Sequence, residues 1–158
     1  MKIEIAIRKE KTELDRGFLL ELLSKEFLEL QGYQTETDVR ITGAEVDLLC
    51  RHKINSKKIH VECKGYRDKK INSEILDKLI GIGDRMGYDE SWIISTAEFG
   101  KDAKGIVDQI DSNLNKKKLY SFYDPQKLIE ALVGIKLIKN IPECREVLLR
   151  TIGLKDNI

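Results

Sequence analysis

The sequence predicts an α/β fold whose mixed β-sheet is covered by helices on both faces. After a short strand-like start come one helix, three consecutive strands, and then helices and strands in alternation. That order is typical of a sheet that combines antiparallel and parallel pairs. An apolar fraction of 41% in 158 residues is enough to bury the core of one domain.

The first helix follows an alternating stretch. Residues 2–8 alternate between isoleucine and polar or small residues, which is typical of a strand. Residues 12–31 have helical periodicity, with Thr12 or Asp15 as the cap and Gly32 placed to end the helix. The predicted core stripe consists of Leu19, Leu22, Leu23, Phe27 and Leu30.

Three predicted strands come next. Residues 33–39 are rich in Thr and Tyr, and Thr42 with Gly43 turns the chain into a second strand at residues 45–50. A third strand at residues 59–64 is predicted to pair with the second as a hairpin.

This hairpin predicts a cluster of charged side chains. Because side chains alternate between the faces of a strand, Glu62 and Lys64 share one face and Val61 takes the other. With the turn centred near residues 54–55, Asp47 lies directly opposite Glu62, with Cβ atoms ~5 Å apart. Two carboxylates and one ammonium group then converge, which suits a hard divalent metal ion beside a scissile phosphate.

Helices and strands alternate in the second half of the chain. Ser73 is the candidate cap of the next helix, whose core stripe runs from Ile75 to Met86, and Pro125 opens a later helix. The predicted elements are a helix at 73–86, a strand at 91–95, a helix at 100–111, a strand at 119–123, and helices at 125–132 and 142–151.

Charge and cysteine content exclude several classes of protein. With 28 basic and 27 acidic residues, the net charge of +1 says little about partners. Three cysteines without a CxxC pair, and two histidines, argue against a disulfide framework and a zinc site. The sequence has no apolar run of ~18 residues and no apolar block at its start, so we expect no membrane span and a cytoplasmic location.

The order and spacing of five short segments resemble the PD-(D/E)xK nuclease superfamily. The segments are GFLLE (17–21), QGY (31–33), VDLL (46–49), VECK (61–64) and IIST (93–96). The resemblance runs from residue 17 to residue 132 and is strongest to Mrr-like restriction endonucleases, with archaeal Holliday-junction resolvases as a second relative. It implies a restriction-endonuclease-like αβββαβ core, with an extra strand and extra helices, in a nuclease domain at residues 1–134. Residues 135–158 are expected to form a C-terminal helical extension packed on that domain.

The resemblance implies a Mg²⁺-dependent endonuclease that hydrolyses DNA, with Mn²⁺ as a substitute metal. Asp47 and Glu62 are the expected metal ligands, joined by the backbone carbonyl of Cys63. Lys64 is expected to orient the attacking water or to stabilise the oxyanion of the transition state. A lysine that loses its proton through desolvation is the alternative, and would act as a base.

A further catalytic glutamate is expected on the first helix. The resemblance places Glu21 at that position, where it binds a second metal ion or positions water. The predicted core stripe includes Glu26 and leaves out Glu21, so Glu26 is the substitute candidate. An ion pair with Lys25, one turn on, is the purely structural interpretation of Glu21.

Basic residues downstream of the acidic pair are candidate contacts to a phosphate backbone. An ordinary solvated loop explains them equally well. The five residues are Arg67, Lys69, Lys70, Lys101 and Lys104. DNA is the expected partner, with RNA as an open alternative, and a homodimer is expected because cutting both strands of a duplex needs two sites.

Three other functions remain open at this stage. The chain is alternatively a non-catalytic nucleic-acid-binding module of the same fold, or a nuclease that acts in DNA repair or on junctions. The apolar residues of the tail, from residue 136 to residue 158, are alternatively a docking surface for a partner. The sequence does not choose a target sequence, a base modification or a strand structure.

Overall fold

A computed structural model of the chain describes residues 13–135, with side chains from residue 16 onward. The predicted strand at 2–8 and the predicted tail helix at 142–151 lie outside that range. Within it, none of the helices is long and apolar enough to cross a membrane. The elements are α1 (Glu13–Leu30), β1 (Tyr33–Ile41), β2 (Ala44–His52), β3 (Lys58–Lys64), α2 (Ser73–Met86), β4 (Glu90–Ser95), α3 (Lys101–Asp111), a 3-10 turn (Lys116–Lys118), β5 (Tyr120–Tyr123) and α4 (Pro125–Gly134).

The sheet is mixed and has helices on both faces, as the sequence predicts. Its five strands lie in the order β1-β2-β3-β4-β5. The first two pairs are antiparallel, and β3, β4 and β5 run parallel to one another. One core cluster lies between the sheet and helices α1 and α4, and a second lies between the sheet and helices α2 and α3.

The β2–β3 hairpin has the register that the sequence predicts. Leu48 pairs with Val61 and Cys50 with Ile59, so the turn is centred at residues 54–55. All four side chains are buried in the core cluster beneath α1 and α4. One step further along this register, Asp47 faces Glu62.

The buried stripe of α1 differs from the predicted one. Leu30 is 54% exposed and Leu22 is only half-buried, so neither belongs to the core as predicted. Leucines occur around most of this helix, so periodicity alone does not select its inner face. The observed arrangement places Glu21 beside the buried stripe and Glu26 farther from it. The buried residues of this helix are Leu20, Leu23, Ser24, Phe27 and Leu28.

Two details of α2 also correct the prediction. Asn72, and not Ser73, is the N-cap, since its side chain accepts a hydrogen bond from the amide of Ile75 at 3.2 Å. Met86 is 37% exposed and lies outside the core, because Gly83 takes the inward position in the last turn. Gly87 then ends the helix with a φ of 64°, in the left-handed region.

Gly83 is required where α2 crosses β4. A Cβ at this position would lie 2.2 Å from Oγ of Ser91, a side chain that is 2% exposed and has little room to move. At Gly81, two residues earlier in the same helix, a Cβ would meet no atom within 4 Å. The two glycines therefore differ in their surroundings while sharing the same helix.

We expect Gly83→Ala to lower the free energy of unfolding by ~1–3 kcal/mol through overpacking. Gly81→Ala is the matched control and should raise it by ~0.4–1 kcal/mol, because alanine favours the helix. Urea denaturation of both variants measures the difference, and Ser91→Ala in the Gly83→Ala background should restore part of the loss. Equal stability of the two single variants would contradict this account of the crossing.

Candidate active site

Strand β2 and the last residues of β3 bring Asp47, Glu62 and Lys64 together. Lys64 Nζ lies 2.5 Å from Glu62 Oε1 and 3.8 Å from Asp47 Oδ2. The side chains of Glu62, Lys64 and Asp47 are 6%, 19% and 23% exposed, so the cluster is largely withdrawn from water but still reachable. An ammonium group therefore lies between two carboxylates at one point of the sheet.

Asp47 is held by the strand that carries the other two groups. Its Oδ2 accepts a hydrogen bond from the backbone amide of Cys63 at 2.6 Å. Burial, followed by the charge of Glu62, raises the pKa of Asp47, while Lys64 and the amide of Cys63 act in the opposite direction. The carboxylate is fixed in place, and its burial beside a second acid disfavours its ionised form.

Lys64 is kept protonated by its neighbours. Desolvation lowers the pKa of Lys64, but the charges of Glu62 and Asp47 outweigh it, so the pKa lies above its ordinary value. This electrostatic balance favours an ammonium donor over the neutral base considered from the sequence.

The end of β4 fixes the backbone around Lys64. The amide of Thr96 donates to the carbonyl of Lys64 at 3.2 Å, and its hydroxyl donates to the carbonyl of Tyr66 at 3.2 Å. Gly65 lies between these two residues, and a Cβ there would be 3.0 Å from the backbone of Arg16. The chain that follows β3 is therefore hydrogen-bonded to the end of β4 and lies directly against the backbone of α1.

Glu21 faces the same cluster from α1. Burial, followed by the charges of Asp47 and Asp38, raises the pKa of Glu21 to about 7. Lys64 acts in the opposite direction, and Glu62 adds to the increase, so the charged residues of the hairpin influence this carboxyl. The predicted core stripe of α1 favoured Glu26 over Glu21. The buried stripe in the structure lies closer to Glu21.

Two charged residues near the site were missed from the sequence. Lys78 of α2 reaches Glu62 Oε1 at 3.5 Å, although its side chain is 54% exposed. Asp38 occupies the register position opposite Asp47, between two paired neighbours of β1, and has a φ of 52°. Neither residue belongs to a motif, and only the sheet register and the helix packing bring them near Asp47 and Glu62.

His60 shares the face of Glu62 but adds no charge. Its side chain is buried, and neither ring nitrogen has a hydrogen-bond partner among the described residues. Desolvation lowers the pKa of His60 to about 4, so the ring is neutral at pH 7, and it packs against Tyr88 with centroids 5.0 Å apart.

The five basic residues predicted to contact DNA lie in two exposed segments. The loop from β3 to α2 carries three of them and the first turn of α3 carries two. A bridge between Ile71 and Phe99, and a 2.8 Å hydrogen bond from the amide of Gly100 to the carbonyl of Ile71, bring these segments together. The residues are Arg67, Lys69, Lys70, Lys101 and Lys104, and all are exposed.

The acidic residues fit a divalent ion of the Mg²⁺ class. Asp47 and Glu62 offer hard oxygen donors that converge on one positive group, and Mg²⁺ retains several waters, so one or two carboxylates suffice. Within residues 13–135, no group of three His, Cys, Asp or Glu side chains is arranged to hold an ion. The chemistry of the two carboxylates is therefore compatible with a hard divalent ion.

Comparison with known proteins assigns the chain to a family. The chain matches the family described as Restriction endonuclease (Mrr_cat) over residues 16–132. No curated protein gives a significant match to the sequence.

Solved structures share the fold at low sequence identity. A protein of unknown function, AF1548, aligns with a TM-score of 0.57 and 17% identity over 79% of this chain and 69% of its own. The DNA modification-dependent restriction endonuclease AspBHI aligns with a TM-score of 0.53 and 10% identity over 84% of this chain and 40% of its own. The family match spans most of the chain and contains all the acidic and basic residues of the cluster. The chain belongs to the restriction endonuclease family and is a DNA endonuclease of the restriction type.

Proposed function

We propose that this endonuclease hydrolyses DNA phosphodiester bonds with a divalent metal ion, Mg²⁺ or in its place Mn²⁺, in the manner of Mrr-like restriction enzymes. Asp47 and Glu62 are the ligands, joined by the backbone carbonyl of Cys63. The observation that carries the proposal is the convergence of both carboxylates on Lys64 Nζ, at 2.5 Å from Glu62 and 3.8 Å from Asp47. A restriction-endonuclease-like fold generally implies dependence on a divalent metal.

The chemistry requires negative charge on the phosphate to be neutralised. A divalent cation supplies Lewis acidity toward the phosphate and makes water more acidic. The protein positions the two acids before substrate arrives, since the Cys63 amide fixes Asp47 and the hairpin register fixes Glu62. Such pre-organised polar groups avoid reorganisation at the moment of reaction.

Lys64 acts as a charged donor to the phosphate. Its raised pKa keeps the ammonium protonated, so it stabilises the extra charge of the transition state and orients the attacking water. Glu21 works beside it as a carboxyl with a pKa of about 7, able to hold or release a proton near neutral pH. In this role it positions water or completes the coordination of an ion.

The exposed basic residues of the β3–α2 loop and of α3 contact the DNA backbone in this proposal. They lie on the segments that follow Lys64 and Ser95, at the edge where the parallel strands β3 and β4 end. One such site cuts one strand, so cleavage of both strands calls for a homodimer that places two sites on the duplex.

Single substitutions in the cluster should abolish cleavage without unfolding the protein. We expect Asp47→Asn, Glu62→Gln and Lys64→Met each to slow plasmid nicking in Mn²⁺ or Mg²⁺ by at least ~10²–10³, because each removes one charged group from the transition state. Glu26→Gln on α1 is the control and should cleave as the wild type does. Nicking at the wild-type rate by the three folded variants would refute the proposal.

Metal affinity should rise with pH through about 7, where Glu21 loses its proton. Ions compete with protons for a carboxylate, so Mn²⁺ should bind more tightly at pH 8 than at pH 6. Calorimetric titration measures this, and Glu21→Gln should flatten the dependence while Glu26→Gln should not. A dependence that persists unchanged in Glu21→Gln would exclude Glu21 from the ion's surroundings.

The same carboxyl should make the metal-free fold less stable as pH rises. The folded protein binds the Glu21 proton more tightly than the unfolded chain, whose ordinary pKa is 4.5, so stability is lost between pH 4.5 and about 7. Chemical denaturation at pH 5 and pH 8 should therefore show a larger loss in the wild type than in Glu21→Gln. Equal losses of unfolding free energy in the two proteins would show that burying the ionised Glu21 carboxylate costs no stability.

A further inference from the structure

Lys78 is a second cation on Glu62, supplied by a different element. Its Nζ lies 3.5 Å from Glu62 Oε1, the same oxygen that Lys64 Nζ approaches to 2.5 Å. The Lys78 side chain is 54% exposed and that of Lys64 is 19% exposed. Of the two lysines that pair with Glu62, Lys64 is therefore largely withdrawn from water, and Lys78 is in contact with it.

The flank of α2 that carries Lys78 has one further base in its last turn. Arg85, seven residues later, lies on the same flank, with its Nη1 4.0 Å from the Cβ position of Gly43 in the β1–β2 turn. On the opposite flank, Asp84 accepts a hydrogen bond from the hydroxyl of Tyr120 at 2.9 Å. The helix thus turns Lys78 toward Glu62, Arg85 toward the β1–β2 turn and Asp84 toward β5.

The spacing of these bases suits one strand of DNA. Seven residues of α-helix rise ~10 Å, and phosphates on one strand of a duplex are spaced ~3.4 Å along its axis. With the helix parallel to the DNA axis, Lys78 and Arg85 are therefore about three phosphate intervals apart. Glu74, one turn before Lys78 and exposed, limits the basic flank at that end.

We propose that Lys78 exchanges partners during the reaction: it pairs with Glu62 in the free protein and binds a phosphate adjacent to the scissile one when a divalent cation occupies Asp47 and Glu62. This inference rests on the proposed metal-dependent function. A divalent cation bound at that carboxylate repels both ammonium groups, so it weakens the ion pair of the one that is free to move away. Lys78 is the one that leaves, since it is exposed and on a flexible stem, while Lys64 lies on the strand itself.

Lys78→Gln should change two affinities in opposite directions. Without DNA, Mn²⁺ should bind the variant up to about five-fold more tightly, because a competing charge at an exposed position is gone. With Ca²⁺ present, a fluorescent duplex should bind more weakly, and the slope of log Kobs against log salt should become less steep by about 0.9. Gel analysis after the titration confirms that the duplex is intact. Lys78→Arg should restore DNA binding.

Lys25→Gln is the matched control. Lys25 is also on a helix and also pairs with a glutamate, Glu29, at 3.9 Å with a side chain 40% exposed, so its replacement should move neither affinity. If the wild type binds Mn²⁺ and DNA while Lys78→Gln matches it in both, the exchange is overturned and the metal-dependent function stands. If the wild type binds no divalent ion, both fail together.

Discussion

Two like-charged acids held side by side are the constraint on which the rest of this site depends. Asp47 and Glu62 face each other across a β-hairpin, and both burial and the charge of Glu62 raise the pKa of Asp47. The arrangement persists because a backbone amide and an ammonium group compensate part of the repulsion. The acids are therefore held together by cationic and amide donors, and the chemistry of phosphate hydrolysis needs positive charge at the same place.

Separate parts of the fold hold the site, and each contributes one kind of control. The hairpin fixes the distance between the acids, and the end of β4 fixes the backbone that carries Lys64. Helix α1 adds a carboxyl whose proton is lost near neutral pH, and α2 adds an exposed base. The strands thus carry Asp47, Glu62 and Lys64. The helices carry Glu21, whose protonation changes near neutral pH, and Lys78, whose partner changes in the proposed exchange.

Much of this was predictable from local patterns. The alternation of side chains and the position of one turn determined that Asp47 faces Glu62, and the order of elements determined the mixed sheet. The inner face of α1 was predicted only in part, since Leu23 and Phe27 are buried but Leu22 and Leu30 are not. Leucine lies on most sides of that helix, so only packing selects the buried stripe. Asn72 and Ser73 are both good caps in isolation, and periodicity cannot choose between adjacent residues.

Lys78 and Asp38 could not be assigned to the site from the sequence, for a different reason. A sequence pattern assigns a residue to a face of its own element, but it does not say which residue of another element lies opposite. Lys78 meets Glu62 only because α2 crosses the sheet beside β3, and Asp38 faces Asp47 only through the register of β1. Both relationships exist between elements, and both required the three-dimensional structure.

The close passage of α1 against Gly65 has a consequence for how the surroundings of Lys64 can evolve. A side chain at position 65 would press against the backbone of Arg16, so the chain after Lys64 meets α1 through main-chain atoms. Adaptation to a bulkier or differently shaped nucleic acid would thus fall to exposed side chains elsewhere, such as Lys78 on α2. Among related chains we expect variation in substrate preference to accumulate at such exposed positions, while position 65 remains glycine.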